Sequence, residues 1–237
     1  MKLTHNPEWI KNAKRNAAKE AVKHVEDGFI VGLGSGSTVA YAIEALGEKA
    51  KREQLDIWGI PTSYQTFLLA TRYGVKLTTL DENPIINLTI DGADQIDPKL
   101  DLIKGMGGAL TREKIVAIAS KTNIIIADES KKVTNLGADN HPVPIEVLPF
   151  ALSQVKNQIE QIGGKLILRE GTGKVGPVIT DNGNVILDAF FGPIKNPVHL
   201  NSLLKMITGV VETGLFIDST DIVYLGKATQ TEKIERK

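Results

Sequence analysis

Residues 91–113 read DGADQIDPKLDLIKGMGGALTRE, so that two carboxylates (Asp91 and Asp94), a lysine (Lys104), a glycine-rich turn and a third carboxylate (Glu113) share one short window. Carboxylates that take and return a proton, beside a lysine that neutralises a developing negative oxygen, suit proton transfer next to a carbonyl. The base removes the proton α to C=O and the cation stabilises the enediolate oxygen, each contributing on the order of 10²-fold or more in rate. Every member also has a plainer explanation. Asp91 and Asp94 fit an Asx-type turn, Lys104 a solvated charge, and Glu113 an acid favoured by the dipole in a helix's first turn. Against the plain set stand Gly105, Gly107 and Gly108, which let backbone N–H groups approach a ligand closely. Asp97 and Asp101, flanking Pro98-Lys99, read as turn and surface acids.

A second cluster is GLGSGST, residues 32–38. It lacks the lysine that a nucleotide-hydrolase phosphate loop sets before its Ser/Thr, because Gly36 runs straight into Ser37 and Thr38. A dinucleotide fingerprint fails as well: counted from Gly32 the sixth residue is Ser37, and counted from Gly34 it is Val39. The next strand ends in Pro61-Thr62-Ser63, without an acid for a ribose. What remains is a helix start whose N–H groups and dipole suit one phosphate, or else a tight turn capped by Ser or Thr. Lys131, after Asp128-Glu129-Ser130, offers a phosphate a cation or belongs with Lys132 to a basic loop. Lys14 is a weaker candidate of the same kind. His24, Trp58 and Met106 read as packing or surface residues.

These groups need a scaffold that gathers strand ends. Residues 85–90 (IINLTI), bounded by Asn83-Pro84 and Asp91-Gly92, read as a buried strand with Asp91 at its carboxyl end. In open α/β sheets that edge faces helix N-termini and binds ligands. Asn6-Pro7 starts a helix with an apolar face of Ile10, Ala13, Ala17, Ala21 and Val25, and Asp27-Gly28 stops it. Strands over 29–34, 55–60, 75–80, 85–90 and 123–127 then alternate with helices over 39–53, 63–73 and 112–120. The pattern predicts a largely parallel sheet covered on both faces. From about Asn135 the texture changes, and HPVPIEVLPF brings three prolines. Beyond it come a strand (144–148), a helix (150–163), a strand (165–170), a hairpin turn (181–184), a strand (185–191), a helix (199–207) and a strand (210–216). This β-α-β-β-α-β order is the ferredoxin-like unit. A last strand, 221–226, can return to the first sheet ahead of a polar tail. The expected domains are 1–135 with 217–237, and 136–216.

A chain of 237 residues can form one large domain or two smaller ones. Lys plus Arg equal Asp plus Glu, 28 of each, which argues against a broad footprint for nucleic acid or anionic membrane. Without cysteine there is no disulfide or thiolate site, and His5, His24, His141 and His199 lack metal-ligand spacing. A metal-free cytoplasmic protein is expected. The N-terminal segment is polar and amphipathic, and no run approaches ~18 apolar residues, so neither a secretion signal nor a membrane span is expected.

Taken together, three long motifs resemble the type A ribose-5-phosphate isomerase family. GLGSGSTVAY is similar to that family's G-T-G-S-T loop, DGADQID to its D-G-A-D-E-I-D/N segment, and KGMGGALTREKIVA to its K-G-G-G-G-A-L-x-R-E-K segment. IADESKKV and GPVITDNGNVILD match too, so the likeness runs from about Gly32 to Gly214. The resemblance implies an α/β fold: a Rossmann-like, mostly parallel sheet with a smaller ferredoxin-like α+β domain inserted before the last strand. It implies a cofactor-independent aldose-ketose isomerase that interconverts ribose 5-phosphate and ribulose 5-phosphate through a cis-enediolate in the pentose phosphate pathway. Homodimers or homotetramers are the family's usual assemblies.

On that pattern Glu113 carries the proton between C1 and C2, Asp91 assists ring opening, Asp94 binds sugar hydroxyls and Lys104 stabilises the enediolate. Substrate is held by Ser35, Gly36, Ser37 and Thr38, by Gly92 and Ala93 beside the aspartates, by the backbone of Gly105, Met106 and Gly107, and by Lys131. Two residues depart from it. Ser35 replaces a threonine and keeps the hydroxyl. Met106 replaces a glycine, which costs roughly 1–3 kcal/mol if the position requires φ > 0 and nothing if only its N–H is needed; the flanking Gly105 and Gly107 favour the second. The rivals are a sugar-phosphate-binding domain, which needs no base, and a related-fold acyl-CoA transferase or hexosamine-phosphate deaminase. A nicotinamide-dependent dehydrogenase is disfavoured by the glycine spacing.

Overall fold

A computed structural model of the chain describes residues 7–171, 173 and 175–236; the expected helix cap Asn6 lies outside them. In chain order the elements are α1 (Pro7–Val22), β1 (Ile30–Leu33), α2 (Ser37–Glu53), β2 (Trp58–Pro61), α3 (Tyr64–Arg72), β3 (Lys76–Leu77) and β4 (Leu88–Gly92). There follow β5 (Gln95–Ile96), β6 (Leu102–Ile103), α4 (Leu110–Ile118), β7 (Asn123–Asp128), β8 (Val143–Val147), α5 (Leu152–Gln161) and β9 (Lys165–Leu168). The last are β10 (Val185–Phe190), α6 (Pro197–Lys205), β11 (Val210–Thr213), β12 (Leu215–Phe216), β13 (Ile222–Gly226) and β14 (Thr231–Glu235).

The chain separates into two compact units, Met1–Ala93 with Ile115–Lys131 and Ser219–Lys237, and Asp94–Lys114 with Lys132–Asp218. The expected division at 135/136 and 216/217 lies close to two of these crossings. The segment Asp94–Lys114, placed with the first domain by its position in the sequence, groups instead with the second.

The first unit holds one sheet in the order β14-β13-β7-β4-β1-β2-β3. From β13 to β3 the neighbours run parallel. Alternate side chains go to opposite faces: Val31, Leu33, Leu88, Ile90, Ile124 and Ile126 pack with Ala17, Val22, Val39, Ile43 and Leu46 of α1 and α2. On the other face Ile60 and Ile86 meet Val116 of α4. Burying each such aliphatic side chain contributes ~1.5–3 kcal/mol. β4 starts later than expected and runs on through Asp91 and Gly92, which pair with Ile125 and Ile126 of β7. Asp91 is therefore inside the strand. The polar tail after β13 forms a further strand, β14, antiparallel to β13. Its backbone completes a ladder on an edge that would otherwise be open.

In the second unit a four-stranded antiparallel sheet has the order β11-β8-β10-β9. With α5 after β8 and α6 after β10, this is the expected β-α-β-β-α-β unit, packed on Val143, Ile145, Val147, Val155, Ile159 and Leu187. The strand expected over 210–216 breaks at Gly214, where a Cβ would lie 2.4 Å from the Lys104 carbonyl oxygen. Its second half, β12, joins β6 and β5 in a three-stranded sheet that the apolar pattern did not reveal.

Candidate active site

Winding of the parallel sheet reverses between β1 and β4, the place where an open α/β sheet leaves a crevice at its carboxyl edge. β1 passes through Gly34 and Ser35 into α2, whose N-cap is Gly36 at φ 104° with no side-chain cap. The capped-turn alternative therefore fails, and first-turn N–H groups remain for an external acceptor. Lys14 on α1 reaches this turn, its Nζ 2.9 Å from Ser37 Oγ. Thr38 follows in the helix's first turn. A Cβ on Gly34 would lie 2.0 Å from Asp91 Oδ1, so only glycine lets β1 run this close to the aspartate. Buried Asp91 accepts the Ser35 N–H at 3.2 Å and the Gly92 N–H at 2.7 Å. The Ser35 hydroxyl turns elsewhere, to Thr62 and Ser63 at 2.8 and 2.7 Å, and ties the start of α2 to that of α3. Gly92 and Ala93 are half-buried just beyond. Lys131 ends a short 3-10 turn after β7, half-buried at the same sheet edge.

The second unit carries the other candidates. Lys104 follows β6, and its backbone N–H donates to Gly214 O at 2.9 Å. Glu113 stands in the first turn of α4. Their side chains, 3% and 6% exposed, form an ion pair with Nζ 3.4 Å from Oε2, and the ammonium lies 5.3 Å from the Phe216 ring centre. Burial strengthens the action of both charges on a reacting group. Lys104 is therefore not the solvated charge of the plainer reading, while Glu113 does stand in a helix's first turn but is buried there. Between them, Gly105 has φ 97° and a would-be Cβ 2.8 Å from Leu110 Cβ, and the turn is closed by the Gly108 N–H on Gly105 O at 3.0 Å. Met106 has no positive φ and adds no strain; its N–H donates to Asp94 Oδ2 at 3.1 Å. The methionine side chain and Gly107 are exposed.

Asp97 and Asp101 are buried, contrary to expectation. Asp97 Oδ1 accepts the N–H groups of Lys99 and Asp101, and Asp101 Oδ1 that of Asp218; burial pushes the Asp97 carboxyl above the ordinary carboxylate range. Three supporting groups escaped the sequence reading altogether. Fully buried Glu146 accepts from Thr180, Asn182, Asn184 and, through a short bond, Thr111 of α4, which accounts for the TDNGN motif. Lys114, next to Glu113, donates to Glu212 at 2.9 Å and to the carbonyls of Thr213 and Leu215 at 2.6 and 2.8 Å. Arg169 reaches the glycine turn from β9's end. The signal for the first and last was a charge set in or next to an apolar run, PIEVL and KLILRE.

Fold and side chains together define an α/β protein with a buried lysine–glutamate pair and a helix start that no side chain caps. Comparison with known proteins narrows the class. Residues 58–230 match the family model described as ribose 5-phosphate isomerase A (phosphoriboisomerase A). The chain is 46% identical to the ribose-5-phosphate isomerase A of Pyrococcus horikoshii, covering 96% of this chain and 99% of that one, and 53% identical to that of Archaeoglobus fulgidus, covering 86% and 90%. The solved isomerase of Methanocaldococcus jannaschii superposes with a TM-score of 0.91 at 42% identity over 95% of this chain and 99% of that one. A D-ribose-5-phosphate isomerase solved with phospho-erythronic acid gives 0.93 at 46% identity over 96% and 99%. The chain belongs to the ribose 5-phosphate isomerase A family.

Proposed function

We propose that this protein interconverts D-ribose 5-phosphate and D-ribulose 5-phosphate, a reading supported by relatives named ribose-5-phosphate isomerase A. The observation that carries the reading is the buried Lys104–Glu113 pair at 3.4 Å, in a chain with full-length relatives of that activity. Glu113 acts as the base that moves the proton between C1 and C2. Lys104 neutralises the oxygen of a cis-enediolate. Asp91 assists ring opening and Asp94 binds sugar hydroxyls. The phosphate is held by the N–H groups of Gly36, Ser37 and Thr38, with Lys131 as its cation, while Ser35, Gly92, Ala93, Gly105, Met106 and Gly107 complete the substrate-binding set. The phospho-erythronic acid bound to the related isomerase supports this chemistry, since it joins a phosphate to a carboxylate that is planar and anionic as an enediolate is. The same reading takes the protein to be a cytoplasmic homodimer or homotetramer, working without a cofactor in the non-oxidative pentose phosphate pathway.

Purified protein treated with EDTA and given no cofactor is expected to form ribulose 5-phosphate from ribose 5-phosphate; no product would overturn the reading. Glu113→Gln is expected to lower kcat by roughly 10²- to 10⁴-fold while still binding the sugar phosphate in a calorimetric titration. Near-normal turnover in that variant would remove Glu113 as the base.

A further inference from the structure

Arg169 acts on the glycine turn from outside it. Its Nε donates to Asp188 Oδ2 at 2.8 Å and its Nη2 to Asp188 Oδ1, a two-point grip that fixes the plane of the guanidinium. Both side chains are largely buried, 11% and 13% exposed. The remaining nitrogen, Nη1, donates to Gly105 O at 2.8 Å and to Met106 O at 3.0 Å. One rigid fork thus holds two successive carbonyls of the turn.

That grip dictates where the amides point. In a trans peptide the N–H is directed opposite to the C=O, and the described peptides include no cis bond. The 105–106 peptide follows this rule visibly: its oxygen meets Arg169 and its N–H meets Asp94 Oδ2 at 3.1 Å. In the 106–107 peptide the oxygen again meets Arg169, so the Gly107 N–H is turned away from the guanidinium. Among the described residues no acceptor takes that N–H. Gly107 is exposed, and a Cβ there would have nothing within 4 Å. A fixed donor faces open space.

We propose that Arg169, held by Asp188, is a positioning residue that aims the Gly107 N–H at the sugar oxygen that becomes negative as the enediolate forms. This rests on the isomerase reading above. A preorganised donor of that kind stabilises the transition state more than the bound substrate, so its loss falls on kcat.

The test compares wild type with Arg169→Ala, Arg169→Lys and Asp188→Asn, assayed on ribose 5-phosphate. Arg169→Ala is expected to lose on the order of 10²-fold in kcat, with KM nearly unchanged, and to regain part of the rate with guanidinium ion at a non-denaturing concentration but not with methylammonium. Arg169→Lys, which cannot bond the carboxylate and both carbonyls together, falls in between. Unchanged kcat, a loss confined to KM, or no selective rescue by guanidinium overturns the proposal. If Arg169→Ala does not fold, Asp188→Asn carries the test: a kcat loss supports the positioning role and an unchanged kcat overturns it. Amide hydrogen exchange gives a readout independent of turnover, expected to quicken at Met106 in the variants and overturning the proposal if it does not. A wild type without isomerase activity would remove the isomerase reading, whereas an active wild type with an indifferent Arg169 removes only this inference.

Discussion

Gly105 is held by two independent constraints, a left-handed φ of 97° and the Leu110 side chain 2.8 Å from where its Cβ would be. Gly105→Ala is therefore expected to cost about 1–3 kcal/mol in stability and to lower kcat by displacing the turn after Lys104; urea unfolding and steady-state kinetics would show both. Lys131 is different in kind. On the proposed reading it serves a phosphate that does not change in the reaction, so Lys131→Ala should chiefly raise KM, and a purely kcat effect would count against that role. At this scale the sequence was informative wherever several unusual residues fell close together, as in Lys104, the glycines and Glu113. It misjudged Asp97 and Asp101, because turn-forming acids look alike whether their carboxylates meet water or backbone N–H groups.

The start of α4 is anchored by the side chains of Thr111 and Lys114. Lys114 holds β11 and β12 through Glu212 and two carbonyls, and Glu212 also binds Lys205 at 2.8 Å. Burial pushes the Lys114 ammonium below the ordinary lysine range, more than Glu212 raises it. For Glu212 burial acts upward, but Lys114 and Lys205 outweigh it and hold the carboxyl below the ordinary value. A lowered carboxyl pKa stabilises the folded state above the ordinary value near 4.5, and that stabilisation is lost as pH falls through the lowered value. Glu212→Gln should cost about 3 kcal/mol near neutrality, with the gap to wild type closing in acid; urea unfolding across pH would test this, and a gap that persisted in acid would refute it. Elements with strong periodicity, such as α1 and α2, or with a continuous apolar run, such as β7, could be read directly from the sequence. The two-residue strands β5 and β6 could not, being too short to show a period, and β12, expected as the end of one strand over 210–216, pairs with β6 instead. Likewise β14 exists because β13 offers it a ladder, which no local pattern in KATQTEKIERK announces.

On the scale of the whole molecule, neither unit is one continuous stretch of chain. The segment Lys132–Asp218 looks like a separable domain in sequence, yet its core includes Ile103 and its buried Glu146 depends on Thr111, both from Asp94–Lys114. Expressed alone, residues 132–218 are expected to lack a dispersed amide NMR spectrum, and a well-folded fragment would contradict this account of the unit. No helix among the described residues is long and apolar enough to cross a membrane.

The seven-stranded sheet closes through β13, whose Ile222 lies opposite Ile124 of β7, a separation of 98 residues (222 − 124). Pairings so remote in sequence come late and slowly in folding, because a long loop must close before any contact rewards it. Until then β7, apolar along most of its length, offers a bare edge to any passing strand. Refolding yield should therefore fall as protein concentration rises, and β7 is the segment through which the unfinished chain would be captured by aggregation.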